Sequence, residues 1–207
     1  MKQIKLFDPF IDKKEENAIL QVLKSHFWAS GAGIKNVEKF EASFKNYIGC
    51  DECIAVNSGT AALHLALSLC DLKGKEVILP SLTFVSTAHA VVMNGGKPIF
   101  SEIDPDTLCL DSDKIENNIN KKTQVILPVH YGGMSCNLKE IKKICKNNDL
   151  DLIEDAAHAA GSEYKKDKIG THGKAVCFSF HPVKNLAMPT GGLIAINSKN
   201  SKSISNK

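Results

Sequence analysis

The sequence predicts an α/β domain built on a mainly parallel central sheet flanked by helices. Three observations predict it. From residue 53 onward, short apolar runs of β character alternate strictly with segments of helical periodicity, the pattern of a βαβ chain with right-handed crossovers. Those runs are apolar throughout and not at every second residue, as strands covered on both faces are. Finally, 207 residues that are 43% hydrophobic and 24% charged suffice to bury one sizeable core or two small ones.

The elements follow in order. Asp12 and Glu15 have the spacing of a capping box, and Ile19, Val22 and Leu23 recur behind them at helical intervals, which predicts an amphipathic N-terminal helix. A glycine-bearing loop, ASGAGI (29–34), leads to a second helix over NVEKFEASFKNYI (36–48), with Val37, Phe40 and Phe44 as its apolar stripe and Gly49 as its stop. Strand and helix then alternate: CIAV (53–56) with TAALHLALSLC (60–70), VIL (77–79) with FVSTAHAVVM (84–93), and PIFSEI (98–103) with SDKIENNI (112–119). QVILPVH (124–130) pairs with LKEIKKICKN (138–147), and DLIE (151–154) closes the series. GSEYKKDKIG (161–170) reads as a charged hairpin, while AVCFSF (175–180) and GLIAIN (192–197) read as two strands close together, which predicts mixed topology there. NSKNSKSISNK is polar, lysine-rich and aperiodic, so a domain over 1–198, helices 12–49 included, and a polar tail over 199–207 are expected.

Composition excludes several classes. All 26 basic residues are lysine and the net charge is +3, so the planar, bidentate fork of arginine is absent from the chain. Lysines alternate with acids and aromatics are only 6%, unlike the basic, aromatic-laced face of a nucleic-acid binder. The seven cysteines (50, 53, 70, 109, 136, 145, 177) are odd in number and scattered through apolar stretches, which suits reduced thiols in the cytoplasm. No apolar run reaches roughly eighteen residues, and MKQIKLFDPF lacks the apolar core of a signal peptide, so neither a membrane span nor secretion is expected.

Three segments could carry chemistry. Asn57-Ser58-Gly59-Thr60 lies between a strand and a helix, where free N–H groups, the helix dipole and two hydroxyls make a seat for a phosphate, or simply a helix cap. It is neither a Walker loop nor a dinucleotide fingerprint. Glu154-Asp155 ends a strand and is followed by small alanines and His158; the carboxyl ends of strands are where open α/β sheets bind ligands, although Asp155 also suits a helix cap. Lys184 stands in the apolar, proline-stiffened run FSFHPVKN, away from the lysine clusters, and burial there would free its amine as a nucleophile. A phosphate seat, a carboxylate for a ring nitrogen and a lysine for a Schiff base together fit one cofactor, pyridoxal 5'-phosphate (PLP).

These segments, with SGAGIKNVEKFE, LPSLTFVSTAHAV, FSEIDPDTL, VILPVHYGG and IEDAAHAAGSEYK, give the chain a resemblance over nearly its whole length. It resembles the PLP-dependent nucleotide-sugar aminotransferases of the DegT/DnrJ/EryC1/StrS family, of fold type I. The resemblance implies the large, PLP-binding domain of that fold and transfer of an amino group, from glutamate or another amino acid, to a nucleotide-linked keto sugar. By the same resemblance Lys184 is the cofactor lysine and proton shuttle, and Asp155 the partner of the ring nitrogen. His158 lines the cofactor or buttresses Asp155. Gly59, Thr60 and Ser179 contact the phosphate, and Phe84 stacks on the ring or packs in the core. Relatives that carry histidine in place of Lys184 dehydrate their substrate, so the lysine favours a transaminase.

The resemblance also implies a homodimer, and a C-terminal small domain that is not in this sequence. Two departures stand out: AMPTGG (187–192) keeps Gly191 and Gly192 but lacks the acid common in that turn, and no arginine is present to hold a donor carboxylate. The competing readings are an inactive remnant or half of a split enzyme, and a PLP lyase of another class. Cys50-Asp51-Glu52-Cys53 has no second cysteine pair, and the histidines at 26, 64, 89, 130, 172 and 181 lack ligand spacing, so they read as ordinary residues and no metal site is expected.

Overall fold

In the computed structural model, which describes residues 5, 8–28 and 35–197, the first N-terminal helix begins, and the second ends, at the capping residue that its sequence supplies. Helix α1 (Lys13–Ser25) opens on a complete capping box, with Asp12 accepting from the Lys14 N–H at 2.6 Å and Glu15 accepting from the Asp12 N–H at 2.8 Å. Helix α2 (Asn36–Ile48) stops at Gly49, whose φ of 88° is a left-handed turn that glycine makes without strain. The apolar stripe of α1 forms, yet the helix buries no residue; Ile19 remains 59% exposed. The ASGAGI loop and the polar tail lie outside the described residues.

The remaining elements are β1 (Glu52–Val56), α3 (Gly59–Ser68), β2 (Glu76–Pro80), α4 (Val85–Met93), β3 (Lys97–Ser101), α5 (Ser112–Ile115), β4 (Thr123–Ile126), α6 (Leu138–Asn148), β5 (Asp151–Asp155), β6 (Glu163–Tyr164), β7 (Asp167–Lys168), β8 (Ala175–Ser179) and β9 (Gly192–Ile196). Seven strands form one sheet in the order β1-β9-β8-β5-β4-β2-β3. The pairs from β3 to β8 are parallel, and β9 runs antiparallel between β8 and β1. That insertion is the expected mixed topology, and β6 and β7 form the expected hairpin.

Departures from expectation have local causes. The fourth strand is regular only to Ile126, because Pro128 has no N–H for the ladder; pairing resumes as a single bridge between Val129 and Asp155. SDKIENNI makes one α turn and then a 3-10 turn over Glu116–Asn118. Strands β2, β8 and β9 are buried throughout, whereas β3, with a neighbour on one side only, leaves Phe100 55% exposed.

The sheet separates two apolar cores. Ile78, Ile126, Phe178 and Phe180 pack toward α2 and α6, while Val77, Leu79, Val125 and Cys177 pack toward α3 and α4, as alternate residues of a strand must. Phe44 of α2 meets Phe178 and Phe180 edge-on, with ring centroids 5.3 and 5.6 Å apart. Among the described residues no helix is long and apolar enough to cross a membrane.

Two glycines separate close approach from backbone conformation. A Cβ on Gly192 would run into the Ser58 carbonyl and the Gly59 nitrogen, whereas one on Gly49 would meet open space and only the left-handed φ of 88°. Gly192→Ala is expected to cost about 1–3 kcal/mol from overpacking against backbone, and Gly49→Ala about 1 kcal/mol from strain. Urea unfolding of both variants checks the order.

Candidate active site

Because β1, β2, β4, β5 and β8 all point the same way, their carboxyl ends share one edge of the sheet. There Ser58–Thr60, Thr83–Phe84, Asp155 and Ser179 surround a cavity of about 340 Å³. All seven residues singled out from the sequence, Gly59, Thr60, Phe84, Asp155, His158, Ser179 and Lys184, line it.

Its floor is the start of α3. Ser58 caps the helix, its hydroxyl accepting from the Ala61 N–H at 3.1 Å, and the N–H groups of Gly59 and Thr60 are left without partners inside the helix. A Cβ on Gly59 would lie 2.7 Å from the Ser179 Cβ, so only glycine lets the helix start come against the end of β8. Thr190 donates to the Asn57 carbonyl at 2.7 Å and ties down the turn that carries Gly191 and Gly192. The result is a small cradle of N–H groups, hydroxyls and the positive helix end, the chemistry that holds a phosphate.

Asp155 stands beside it, only 4% exposed. One carboxylate oxygen accepts from the Thr87 hydroxyl at 2.9 Å and the other from the Ala157 N–H at 3.0 Å. Residues 156–161 form turns and not a helix, so Asp155 is not a helix cap. Thr87 is in turn 2.6 Å from the Thr83 hydroxyl. Sequence reasoning missed both threonines. Their i, i+4 spacing at the start of α4 was the available signal, since it places both hydroxyls on one face.

His158 does not touch Asp155 through a hydrogen bond. Its Nδ1 accepts from the Gly132 N–H at 3.2 Å and its ring lies edge-on to Tyr131, which leaves the proton on Nε2. Burial lowers its pKa, and the Lys184 charge lowers it further against the opposing pull of Asp155. Lys184 is half-buried after a turn closed by its N–H to the His181 carbonyl, at 2.8 Å. Burial lowers its ammonium pKa as well, again opposed by Asp155. Phe84 is 71% exposed at the cavity mouth and is not a core residue.

Two histidines read as ordinary prove distinct. His181 lines the cavity, a position invisible in a sequence where every histidine lacks ligand spacing. His130 is fully buried, 2.8 Å from the equally buried Glu154, which also accepts from the Gly173 N–H. The His130 N–H donates to the Asp155 carbonyl at 3.0 Å, so this pair braces the strand end that carries Asp155. Among the described residues no three His, Cys, Asp or Glu side chains converge as metal ligands would.

The chain shares this architecture with known proteins. SpsC of Bacillus subtilis, a spore coat polysaccharide biosynthesis protein, is 40% identical over 187 residues, covering 90% of this chain and 47% of SpsC. The structure of Helicobacter pylori PseC, an aminotransferase involved in the biosynthesis of pseudoaminic acid, matches with a TM-score of 0.92 at 29% identity, covering 99% of this chain and 55% of that one. Spr1654 of Streptococcus pneumoniae, named as a sugar aminotransferase and solved in a PLP form, matches with a TM-score of 0.90 at 26% identity, over 99% of this chain and 56% of its own. The chain spans about half the length of the curated relatives it matches. The profile of the DegT/DnrJ/EryC1/StrS aminotransferases runs from residue 9 to residue 206, and to that family this chain belongs.

Proposed function

We propose that residues 1–198 are the PLP-binding large domain of an aminotransferase that moves an amino group from an amino acid, glutamate first among the candidates, to a nucleotide-linked keto sugar. The observation that carries the proposal is the convergence of an anion cradle, a buried carboxylate and a half-buried lysine on one cavity. The residues present fit the cofactor: the cradle is one that a Cβ on Gly59 would fill, and Asp155 is both buried and oriented by two donors.

When bound, PLP supplies an electron sink for negative charge on the carbon that loses its proton. The protein's part is positioning and proton handling. Gly59, Thr60 and Ser179 hold the phosphate. Asp155, held by Thr87 and the Ala157 N–H, would pair with the ring nitrogen and favour its protonated form. Lys184, whose ammonium pKa partial burial lowers, would be the covalent anchor and the group that carries a proton away and returns it. His158, uncharged near neutral pH because burial and Lys184 both oppose its protonation, presents Nε2–H as a donor toward the cavity.

Transfer to a sugar is supported by the family and by relatives named for polysaccharide and pseudoaminic acid biosynthesis. The chain contains no arginine, so the donor carboxylate falls to a lysine, to residues beyond this half of the enzyme, or to a partner subunit. A homodimer is part of this reading, supported by the exposed apolar side chains of Phe84 and Val183 at the cavity and of their chain neighbours Val85 and Leu186.

Borohydride reduction of the protein with PLP, followed by peptide mapping, is expected to label Lys184 alone among 26 lysines, and Lys184→Ala is expected to take no label. Scattered labelling would overturn the assignment. In the holoenzyme, glutamate is expected to convert bound PLP to pyridoxamine phosphate; a lyase would leave it as PLP.

The lysine pKa gives a second expectation. Burial lowers it and Asp155 raises it, so competitive acetylation across pH should find Lys184 reactive at lower pH than surface lysines. Asp155→Asn, which removes the opposing charge, should shift that midpoint further down. An upward shift would show that Asp155 does not act on Lys184. The same variant should weaken PLP binding by about 1.5–3 kcal/mol, read by equilibrium dialysis.

A further inference from the structure

The motif Cys50-Asp51-Glu52-Cys53 takes no part in the cavity chemistry, and its geometry is specific. Helix α2 ends at Gly49 in a left-handed turn, and the chain folds directly into β1, so residues three apart face one another. Their Sγ atoms lie 3.3 Å apart, and the Cys50 thiol donates to the Glu52 carbonyl at 3.4 Å. The hydrogen bond from Cys53 holds the Cys50 thiol below its ordinary pKa, helped by nearby Lys45, while the same bond and burial push Cys53 up. The pair therefore shares a proton unequally, one sulfur inclined to thiolate and the other to thiol, the division of labour between an attacking and a resolving cysteine.

The other cysteines differ. Burial pushes Cys70 and Cys145 up to about 12 and pushes Cys177 up as well, which makes them inert internal controls. Cys109 and Cys136 are a second pair, with Cys109 down at about 6 through its bond with Cys136. However, they are more deeply buried, only 2% and 1% exposed. Cys50 and Cys53, each 7% exposed and at or next to the edge strand β1, are the less deeply buried pair.

We infer that Cys50 and Cys53 form an oxidisable dithiol, a modification site at which a peroxide converts the two thiols to an intrachain disulfide. Cys50 sulfur attacks one peroxide oxygen: an S–O bond forms, the O–O bond breaks, and the departing oxygen leaves as water with the Cys50 proton and one from the peroxide. Cys53 sulfur then attacks Cys50 sulfur: the S–S bond forms, the S–O bond breaks, and a second water carries off the Cys53 proton. Two thiols lose two electrons and hydrogen peroxide gains them. The oxidised link closes the turn from α2 into β1, the strand whose far end carries Asn57–Thr60.

The test uses the whole chain, folded, with hydrogen peroxide as the oxidant. After treatment, alkylation and cleavage on the amino side of Asp51, which separates the two cysteines, non-reducing mass spectrometry should find the Cys50 and Cys53 peptides joined. Alkylatable thiols should fall from seven to five, and dithiothreitol should restore them. In Cys53→Ser the reaction should halt at a Cys50 sulfenic acid, captured by dimedone; the wild-type mapping decides the matter if that variant does not fold. Cys50 and Cys53 both still alkylated after peroxide, or a link formed at Cys109 and Cys136 instead, would overturn the inference.

Discussion

A carboxylate that is 96% removed from solvent must be satisfied where it stands, and much of this fold's active edge follows from that demand on Asp155. A buried charge without partners costs several times what a single hydrogen bond returns. The Thr87 hydroxyl and the Ala157 N–H meet the side chain, the Asp155 N–H reaches the Pro128 carbonyl, and the His130 N–H takes the Asp155 carbonyl. Those groups belong to three segments, so satisfying one residue pulls the start of α4, the stretch after β4 and the turn after β5 to the same place. The cavity is the space left between them and the start of α3.

Electrostatics within that space are set by burial as much as by charge. Lys184 and His158 both lose pKa chiefly through desolvation, and both feel Asp155 pulling the other way. Partial burial thus moves both groups below their ordinary range, which three exposed copies of the same residues would not show. The chain lacks arginine altogether, so backbone N–H groups, hydroxyls and lysine supply all its anion chemistry.

Much of this was legible in the residues, and the reason is locality. Capping boxes, C-terminal glycines and the change of hydrophobic period depend on neighbours a few positions away, so α1, α2 and the alternating elements were readable directly. Asp155 was readable because it ends an apolar strand, where such sheets bind, and Lys184 because it stands alone in an apolar, proline-stiffened run. Thr83, Thr87 and His181 were not. Threonine and histidine occur throughout the chain, and only the crossover that brings α4 against β5 gives Thr87 a carboxylate 68 positions away.

The sequence by itself determined the α/β class, the order of its elements and the three kinds of group that meet in the cavity, because periodicity and local turn chemistry act over a few residues. Only the tertiary structure decided that β9 inserts between β8 and β1 and that Gly59 and Gly192 permit contact between backbones. It alone decided that His130 and Glu154 form a buried pair behind Asp155, that α1 keeps its apolar stripe exposed, and that Cys50 faces Cys53. Those outcomes rest on close approach between distant segments, where packing and desolvation are properties of the assembled fold and not of any stretch of chain.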